Sequence, residues 1–333
     1  MNRETVDGQV SDSFIKFDVS LPSGRRETVA VSRIGTVADL KTAAQESLGQ
    51  RFLKLAAPDG RLFDPAESLR LSGLRDGENL TAVVQQPKLA ATRSAFALWC
   101  IGADRVVTWG DQDKGGDSFR VQHQLRNVKQ ICGRHGAFAA ILADGSVVTW
   151  GNPDYGGDSS GVQHHLKNVQ QISGTEGAFA AILADGRVVT WGMSDFGGDS
   201  SRVRHQLQNV EQICGTASAF AAILADGSVV TWGNPGYGGD SSRVQHQLKK
   251  VQQICGTHSA FAAILAGESV VTWGNPGYGG DSSRVQHQLK NVQQICSTYG
   301  AFAAILAGGS VVTWGYPVFG GDSSRVQGQF SYI

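Results

Sequence analysis

Tryptophan recurs at Trp109, Trp150, Trp191, Trp232, Trp273 and Trp314, each step 41 residues and each inside the string Val-Val-Thr-Trp-Gly. Six copies with no insertion between the tryptophans restrict the chain to a repeat architecture, in which each unit buries its apolar face against its neighbours. The regularity also bears on function. Catalysis needs a distinguished nucleophile, base or oxyanion hole and must break the symmetry somewhere; a binding surface need not.

Each copy reads as three strands. One copy runs Asn168–Ile172, Gly177–Leu183 and Arg187–Gly192, all apolar and β-rich. Between the second and third lies Asp185-Gly186, a two-residue hairpin signal, with Gly267-Glu268 and Gly308-Gly309 in the fifth and sixth copies. A glycine-rich turn such as 152–160 follows each Trp-Gly, and a polar stretch such as Val162–Lys167 leads to the next strand. Three strands advancing by one fixed step form the blade of a β-propeller. A β-solenoid is the rival, but its rungs are shorter and lack the hairpin signal. The expectation is a mainly β protein whose residues 87–333 form six short, mostly three-stranded blades. The first strand of the first copy is degenerate, at Lys88-Leu89-Ala90-Ala91. Whether the blades close or leave an open arc is undecided at this level.

Composition excludes several classes. Glycine, 43 residues against 8 prolines, falls periodically and marks turns rather than a linker. Lysine plus arginine equal aspartate plus glutamate at 29 each, which removes the basic footprint of a nucleic-acid binder. Of the five cysteines, Cys132, Cys214, Cys255 and Cys296 share one repeat position, filled by Ser173 in the odd copy. That pattern reads as reduced thiols, without disulfide or metal spacing. Met1–Ser13 is polar and without an apolar signal core, so a disordered tail is expected at 1–13. No run approaches the ~18 apolar residues of a membrane span. A soluble monomer, intracellular and cytoplasmic or nuclear, is the expectation.

Residues 14–86 do not carry the repeat. Phe14–Leu21 and Thr28–Val31 flank Pro22-Ser23-Gly24 as a hairpin. Thr36 can cap a helix whose apolar positions Val37, Leu40, Ala43, Ala44 and Leu48 fit a 3.6-residue period, ending at Gly49. Strands are expected at Phe52–Ala56, Arg61–Phe63 and Leu80–Val84. With Asp59-Gly60-Arg61-Leu62 and Leu74–Leu80, this order resembles the ubiquitin-like β-grasp fold, an α+β domain. Two departures bear on what the resemblance implies. Gln85-Gln86-Pro87-Lys88 replaces a terminal Gly-Gly, so conjugation to lysine is not expected. Lys54 or Ala56 stands where the family has an exposed isoleucine, which argues against binding ubiquitin receptors through the usual patch.

The repeat itself resembles the regulator of chromosome condensation family through Gly145–Gly151 and Tyr155-Gly156-Gly157. It differs by having Gly-Gly-Asp-Ser in place of Gly-Gln-Leu-Gly, and by its shortness, which is closer to the propeller of a secreted β-lactamase-inhibitor protein. The resemblance implies fold more than activity.

His123, His164, His205, His246 and His287 share one position but lie too far apart around a propeller to meet on one ion. Asp117, Asp158, Asp199, Asp240, Asp281 and Asp322 read as turn caps, not calcium ligands. The six tryptophans read as inter-blade core. Tyr155, Phe196, Tyr237, Tyr278 and Phe319, before each Gly-Gly, are candidate partner-binding anchors, with Lys114 in the first copy. A second set varies between otherwise near-identical repeats: His135, Glu176, Ala217, His258 and Tyr299. From it His135, Glu176, His258 and Tyr299 join the candidates. No nucleophile elbow, zinc-protease, phosphate-loop or dinucleotide fingerprint is present. No cofactor or metal and no enzymatic activity is therefore expected. The sequence reads as a non-catalytic adaptor whose propeller loops bind a protein partner while the ubiquitin-like domain docks elsewhere, in the ubiquitin pathway. The alternatives are guanine-nucleotide exchange on a small GTPase and inhibition of a hydrolase.

Overall fold

A computed structural model describes residues 13–101 and 105–332. Apart from Ser13, the tail expected to be disordered lies outside these residues. The chain divides into two compact units, Met1–Lys88 and Leu89–Ile333.

In the first unit, β1 (Phe14–Ser20) and β2 (Arg26–Ser32) pair antiparallel across a turn closed by Gly24 at φ +91°. Helix α1 (Val37–Leu48) starts at a reciprocal cap: Thr36 accepts from the Asp39 amide, and the Asp39 carboxylate accepts from the Thr36 amide at 2.7 Å. It stops at Gly49, which is left-handed and donates back to Gln45 and Glu46. Its buried residues are Val37, Leu40, Ala44 and Leu48, the stripe that the 3.6-residue period places on one face. The sheet is completed by β3 (Leu53–Ala56) and β4 (Glu78–Val84) in the order β2-β1-β4-β3, with β1 and β4 parallel. This is the β-grasp arrangement, closed over Phe17, Val19, Leu40, Leu53 and Leu80.

One strand expected here does not form. Arg61–Phe63 contributes a single bridge, Leu62 to Ala56. The Asp59 carboxylate takes the Arg61 amide, so a local turn captures a donor that a ladder would use. On β3, Lys54 is half-buried opposite Val83 and Ala56 is buried.

The second unit is six three-stranded antiparallel sheets, the blades of a propeller. Blade 1 comprises Pro87–Ala91, Ala95–Cys100 and Val107–Gly110, so the degenerate stretch does form its first strand. The middle strands of blades 2 to 6 are Ala137–Leu142, Ala178–Leu183, Ala219–Leu224, Ala260–Leu265 and Ala301–Leu306. Each sits between a first strand of the Val-x-x-Ile type and a third of the Val-Val-Thr-Trp-Gly type. The first strands of neighbouring blades approach closely. A Cβ on Gly215 would lie 2.6 Å from the Gly174 carbonyl oxygen, so only glycine fits there.

The hairpins differ from the two-residue form expected. Gly186 lies at φ +76° and donates to Leu183, while Asp185 stays out of the positive-φ region and its carboxylate accepts from the Arg187 amide. The loop is thus three residues, a type I turn followed by a left-handed residue. Aspartate is satisfied as a side-chain acceptor and leaves the left-handed position to glycine alone, or to Glu268 at φ +58° in blade 5.

Five apolar cores separate the six blades. A typical one takes Ala178, Ala180, Ile182 and Val188 from one blade and Ile213, Phe220 and Trp232 from the next. Among the described residues no sixth core joins blade 6 to blade 1, so the arc is open. This amends the reading of the tryptophans. Trp150, Trp191, Trp232, Trp273 and Trp314 are buried between blades, whereas Trp109 is exposed, having no preceding blade to cover it.

Candidate functional site

The turn after each Trp-Gly is built to hold an aromatic ring. Asn152 caps a single 3-10 turn, Pro153–Tyr155, by accepting from the Asp154 amide, and Gly156 ends it in the left-handed conformation. The ring-bearing residue is then pinned through its carbonyl. Thr175, Thr216, Thr257 and Thr298 donate their hydroxyls to the carbonyls of Phe196, Tyr237, Tyr278 and Phe319, at 2.9, 2.9, 3.0 and 2.7 Å. In blade 1, Thr92 does the same to Lys114 at 3.1 Å. Blade 2 has Arg134 at that position, so Tyr155 lacks this anchor.

Next to each threonine comes the variable residue, and these loops run into one another. The Arg93 amide donates to the His135 carbonyl at 2.9 Å, Glu176 to Ala217 at 2.8 Å, Ala217 to His258 at 2.9 Å and His258 to Tyr299 at 2.8 Å. Backbone hydrogen bonds thus gather loops separated by 41 residues of sequence onto one face. Glu176 lies at their meeting point. Its carboxylate pairs with Arg93 at 2.9 Å and lies 3.9 Å from His135 Nδ1 and 4.0 Å from His258 Nε2, reaching blades on both sides.

Around Glu176 the aromatic residues form a continuous chain of ring contacts. His258 lies 4.4 Å from Tyr299, 5.4 Å from Tyr237 and 5.8 Å from Tyr278, centroid to centroid. Tyr299 continues to Phe319 at 5.1 Å, and Phe319 to Tyr316 at 5.6 Å. His135 packs on Tyr155 at 4.5 Å, with the Lys114 ammonium 5.1 Å from that ring centroid. Phe196 is set apart: it lies over Gly177, where a Cβ would come within 2.7 Å of its ring. Tyr155, Phe196, Tyr237 and Tyr278 are half-buried and also support the blade cores. Tyr299 and Tyr316 are exposed.

Burial lowers the pKa of both histidines below the ordinary imidazole range; Arg93 adds to this, and Glu176 opposes it. At neutral pH the cluster is a neutral aromatic and imidazole surface around one Arg–Glu pair. Such a surface can stack on and hydrogen-bond a partner.

Of the candidate residues, Tyr237, His258, Tyr278, Tyr299 and Phe319 form one patch, with Glu176 and His135 at its centre and Tyr155 beside His135. Arg93 and Tyr316 were not anticipated. The hairpin of the first copy has one residue more than the others, which moves Arg93 42 positions from His135 and off the 41-residue register. Phe96 and Phe138, also 42 apart, carry the same offset. The recurrent aspartates are turn caps: Asp158, Asp199, Asp240, Asp281 and Asp322 accept the amide two residues on at 2.8–2.9 Å. These bonds, backbone first, hold their carboxyls below the usual range. Among the described residues no three His, Cys, Asp or Glu side chains are grouped to hold a metal.

A cavity of about 680 Å³ lies elsewhere, between blades 4 and 5 along Arg243, Trp273 and Gln286. A 500 Å³ groove between blades 1 and 2 uses the equivalent positions Arg120 and Trp150. It is a product of the repeat and distinguishes no blade.

No protein-family model and no curated protein matches the chain. Solved structures do. Human WBSCR16 is 16% identical, with 80% of this chain and 89% of that chain covered and a TM-score of 0.47. Yeast RCC1 (Prp20), in a complex with Kap60, is 15% identical, with 70% of each chain covered and a TM-score of 0.45. The ubiquitin-like domain of Plasmodium falciparum Dsk2 is 27% identical, with 21% of this chain and 97% of that domain covered and a TM-score of 0.19. The similarity is one of fold. Among the described residues no helix is long and apolar enough to cross a membrane.

Proposed function

We propose that this chain is a non-catalytic interaction protein that binds a protein partner through the converged loop face of its propeller. The observation that carries the reading is the coincidence of two sets. The loop residues that differ most between near-identical repeats, at 93, 135, 176, 217, 258 and 299, are ones that backbone hydrogen bonds bring together, and they meet a patch of tyrosine, histidine and phenylalanine. Aromatic side chains supply large contact area at small entropic cost. Repeat-specific variation at the centre of a symmetric scaffold gives a surface that no single blade could present.

The ubiquitin-like unit has its own core and supplies a second surface, which makes the chain an adaptor, with the ubiquitin pathway as its setting and an intracellular site of action. The test is quantitative affinity purification with the full chain, with Tyr299→Ser and with His246→Ser on the polar return. The expected result is a set of proteins recovered with the full chain and with His246→Ser but lost with Tyr299→Ser. Identical recovery by all three would remove the loop face from the reading. Recovery unchanged on deleting residues 1–86 would remove the adaptor part.

A further inference from the structure

We infer that the two ends of the blade arc are complementary halves of one interface, and that a second copy of this chain occupies them head to tail. The five interfaces inside the chain define what each half contains. One blade offers a turn glycine; the next offers a stacked phenylalanine and tryptophan, with the indole N–H donating to that glycine's carbonyl. Trp150, Trp191, Trp232, Trp273 and Trp314 donate to Gly115, Gly156, Gly197, Gly238 and Gly279 at 3.0–3.1 Å. The phenylalanine ring lies so close that a Cβ on any of these glycines would come within 2.5–2.7 Å of it.

At the ends the same parts stand uncovered. Phe96 and Trp109 stack with centroids 5.3 Å apart and planes at 24°, like the pairs between blades. Yet Phe96 is 42% and Trp109 44% exposed, where the five equivalent tryptophans of the later blades are at 4%. Beside them Val107 is 51% and Leu89 58% exposed, where Val148 and Ile131, their equivalents in blade 2, are at 6%. At the far end Gly320 keeps the left-handed φ of +95°, but nothing stands within 4 Å of where its Cβ would be. Ile305 is 42% exposed, against 1–5% for Ile141, Ile182, Ile223 and Ile264.

The blade 1 end is therefore an apolar face of the kind that marks an interaction site, and the blade 6 end offers the glycine turn and the isoleucine that cover such a face inside the chain. Its partner's shape is given by an interface already built five times. Every copy carries at blade 6 the face that fits blade 1. A second copy can meet this face with the geometry that those five interfaces already have. The contact is heterologous, so each face meets the other and never itself, and association adds copies in one direction. This departs from the monomer expected from sequence, and it stands apart from the proposed function.

The test uses the full chain in sedimentation velocity over about 1–100 μM, with Phe96→Arg and Ile305→Arg and far-ultraviolet circular dichroism as the folding control. The expected result is concentration-dependent self-association that either substitution weakens by about thirtyfold or more, the loss typical of a buried anchor. Mixing the two variants should restore a one-to-one complex that grows no further, because each retains the face the other has lost. That mixture depends only on the intact faces, so it remains decisive if one variant is partly unfolded. A monomer at all concentrations would overturn the inference, whether Trp109 is quenched freely or shielded by closure of its own ring. Self-association indifferent to both substitutions, or a mixture that fails to associate, would overturn it as well.

Discussion

Trp232 donates its indole N–H to the carbonyl of Gly197, one blade back, across 3.0 Å, and its stacked partner Phe220 fills the space a side chain on Gly197 would need. The contact joins residues 35 apart and repeats between every adjacent pair of blades. Where the arc ends the contact is missing, and Trp109 and Gly320 are left uncovered.

Replacing Gly197 by alanine adds a left-handed strain and a clash 2.7 Å from Phe220 Cδ2. We expect a loss of about 2–4 kcal/mol. Gly320→Ala carries the same backbone strain in open space and should cost about 1–2 kcal/mol. Urea unfolding of the two variants compares them; equal losses would mean that Gly320 is covered in solution.

Trp232→Phe keeps most of the packing but leaves the buried Gly197 carbonyl without its donor, a cost of about 1–3 kcal/mol. Trp109→Phe removes no such bond from this chain and should stay within about 0.5 kcal/mol at low concentration. Denaturant midpoints measured at about 1 μM would distinguish them.

Asn127, Asn168, Asn209 and Asn291 occupy the left-handed region at φ +53° to +55°, and Lys250 holds the same position in blade 5. Asparagine tolerates this conformation and lysine does so poorly. Lys250→Asn is expected to stabilise the propeller by about 0.5–1 kcal/mol. A thermal midpoint that fails to rise would show that the repeat position tolerates any residue.

His135 and His258 have their imidazoles lowered from the ordinary 6.5, burial being the first cause in each. Unfolded chains bind these protons more tightly than the folded loops do. The histidines therefore favour folding fully above pH 6.5, and that contribution is lost as the pH falls through 6.5 towards the folded values. The thermal midpoint should fall between about pH 7.5 and 5.5, and His135→Asn with His258→Gln should flatten that slope. Parallel slopes for variant and parent would assign the pH dependence to other groups.

Cys214 is half-buried and its thiol is pushed up to about 12, first by desolvation and then by neighbouring Cys255, whereas Cys296 is exposed on the last blade. Iodoacetamide at about pH 8 should label Cys296 at least about a hundredfold faster than Cys214. Peptide mapping of the labelled chain gives the ratio directly.

Repeat number, blade strands and the caps of α1 were legible in the sequence because each depends on residues close along the chain. The 41-residue period, Thr36 with Asp39 and the glycine at position 49 are local statements. The failures were of two kinds. Arg61–Phe63 has the composition of a strand, but the Asp59 carboxylate takes the Arg61 amide. Asp185-Gly186 carries a hairpin signal, yet the aspartate side chain holds its own turn and lengthens the loop.

The site divides in the same way. Sequence alone nominated His135, Glu176, His258 and Tyr299 because they differ between otherwise alike copies, and Tyr155, Phe196, Tyr237, Tyr278 and Phe319 because they are aromatics beside a glycine turn. Tertiary structure decided that the loops bond to one another and that Glu176 reaches three blades. It also decided that Arg93, off the repeat register, completes the cluster. Likewise six equal Val-Val-Thr-Trp-Gly strings contain no mark of which tryptophan lacks a neighbour. Burial is a property of what packs on a residue, and that is decided only when the blades have assembled.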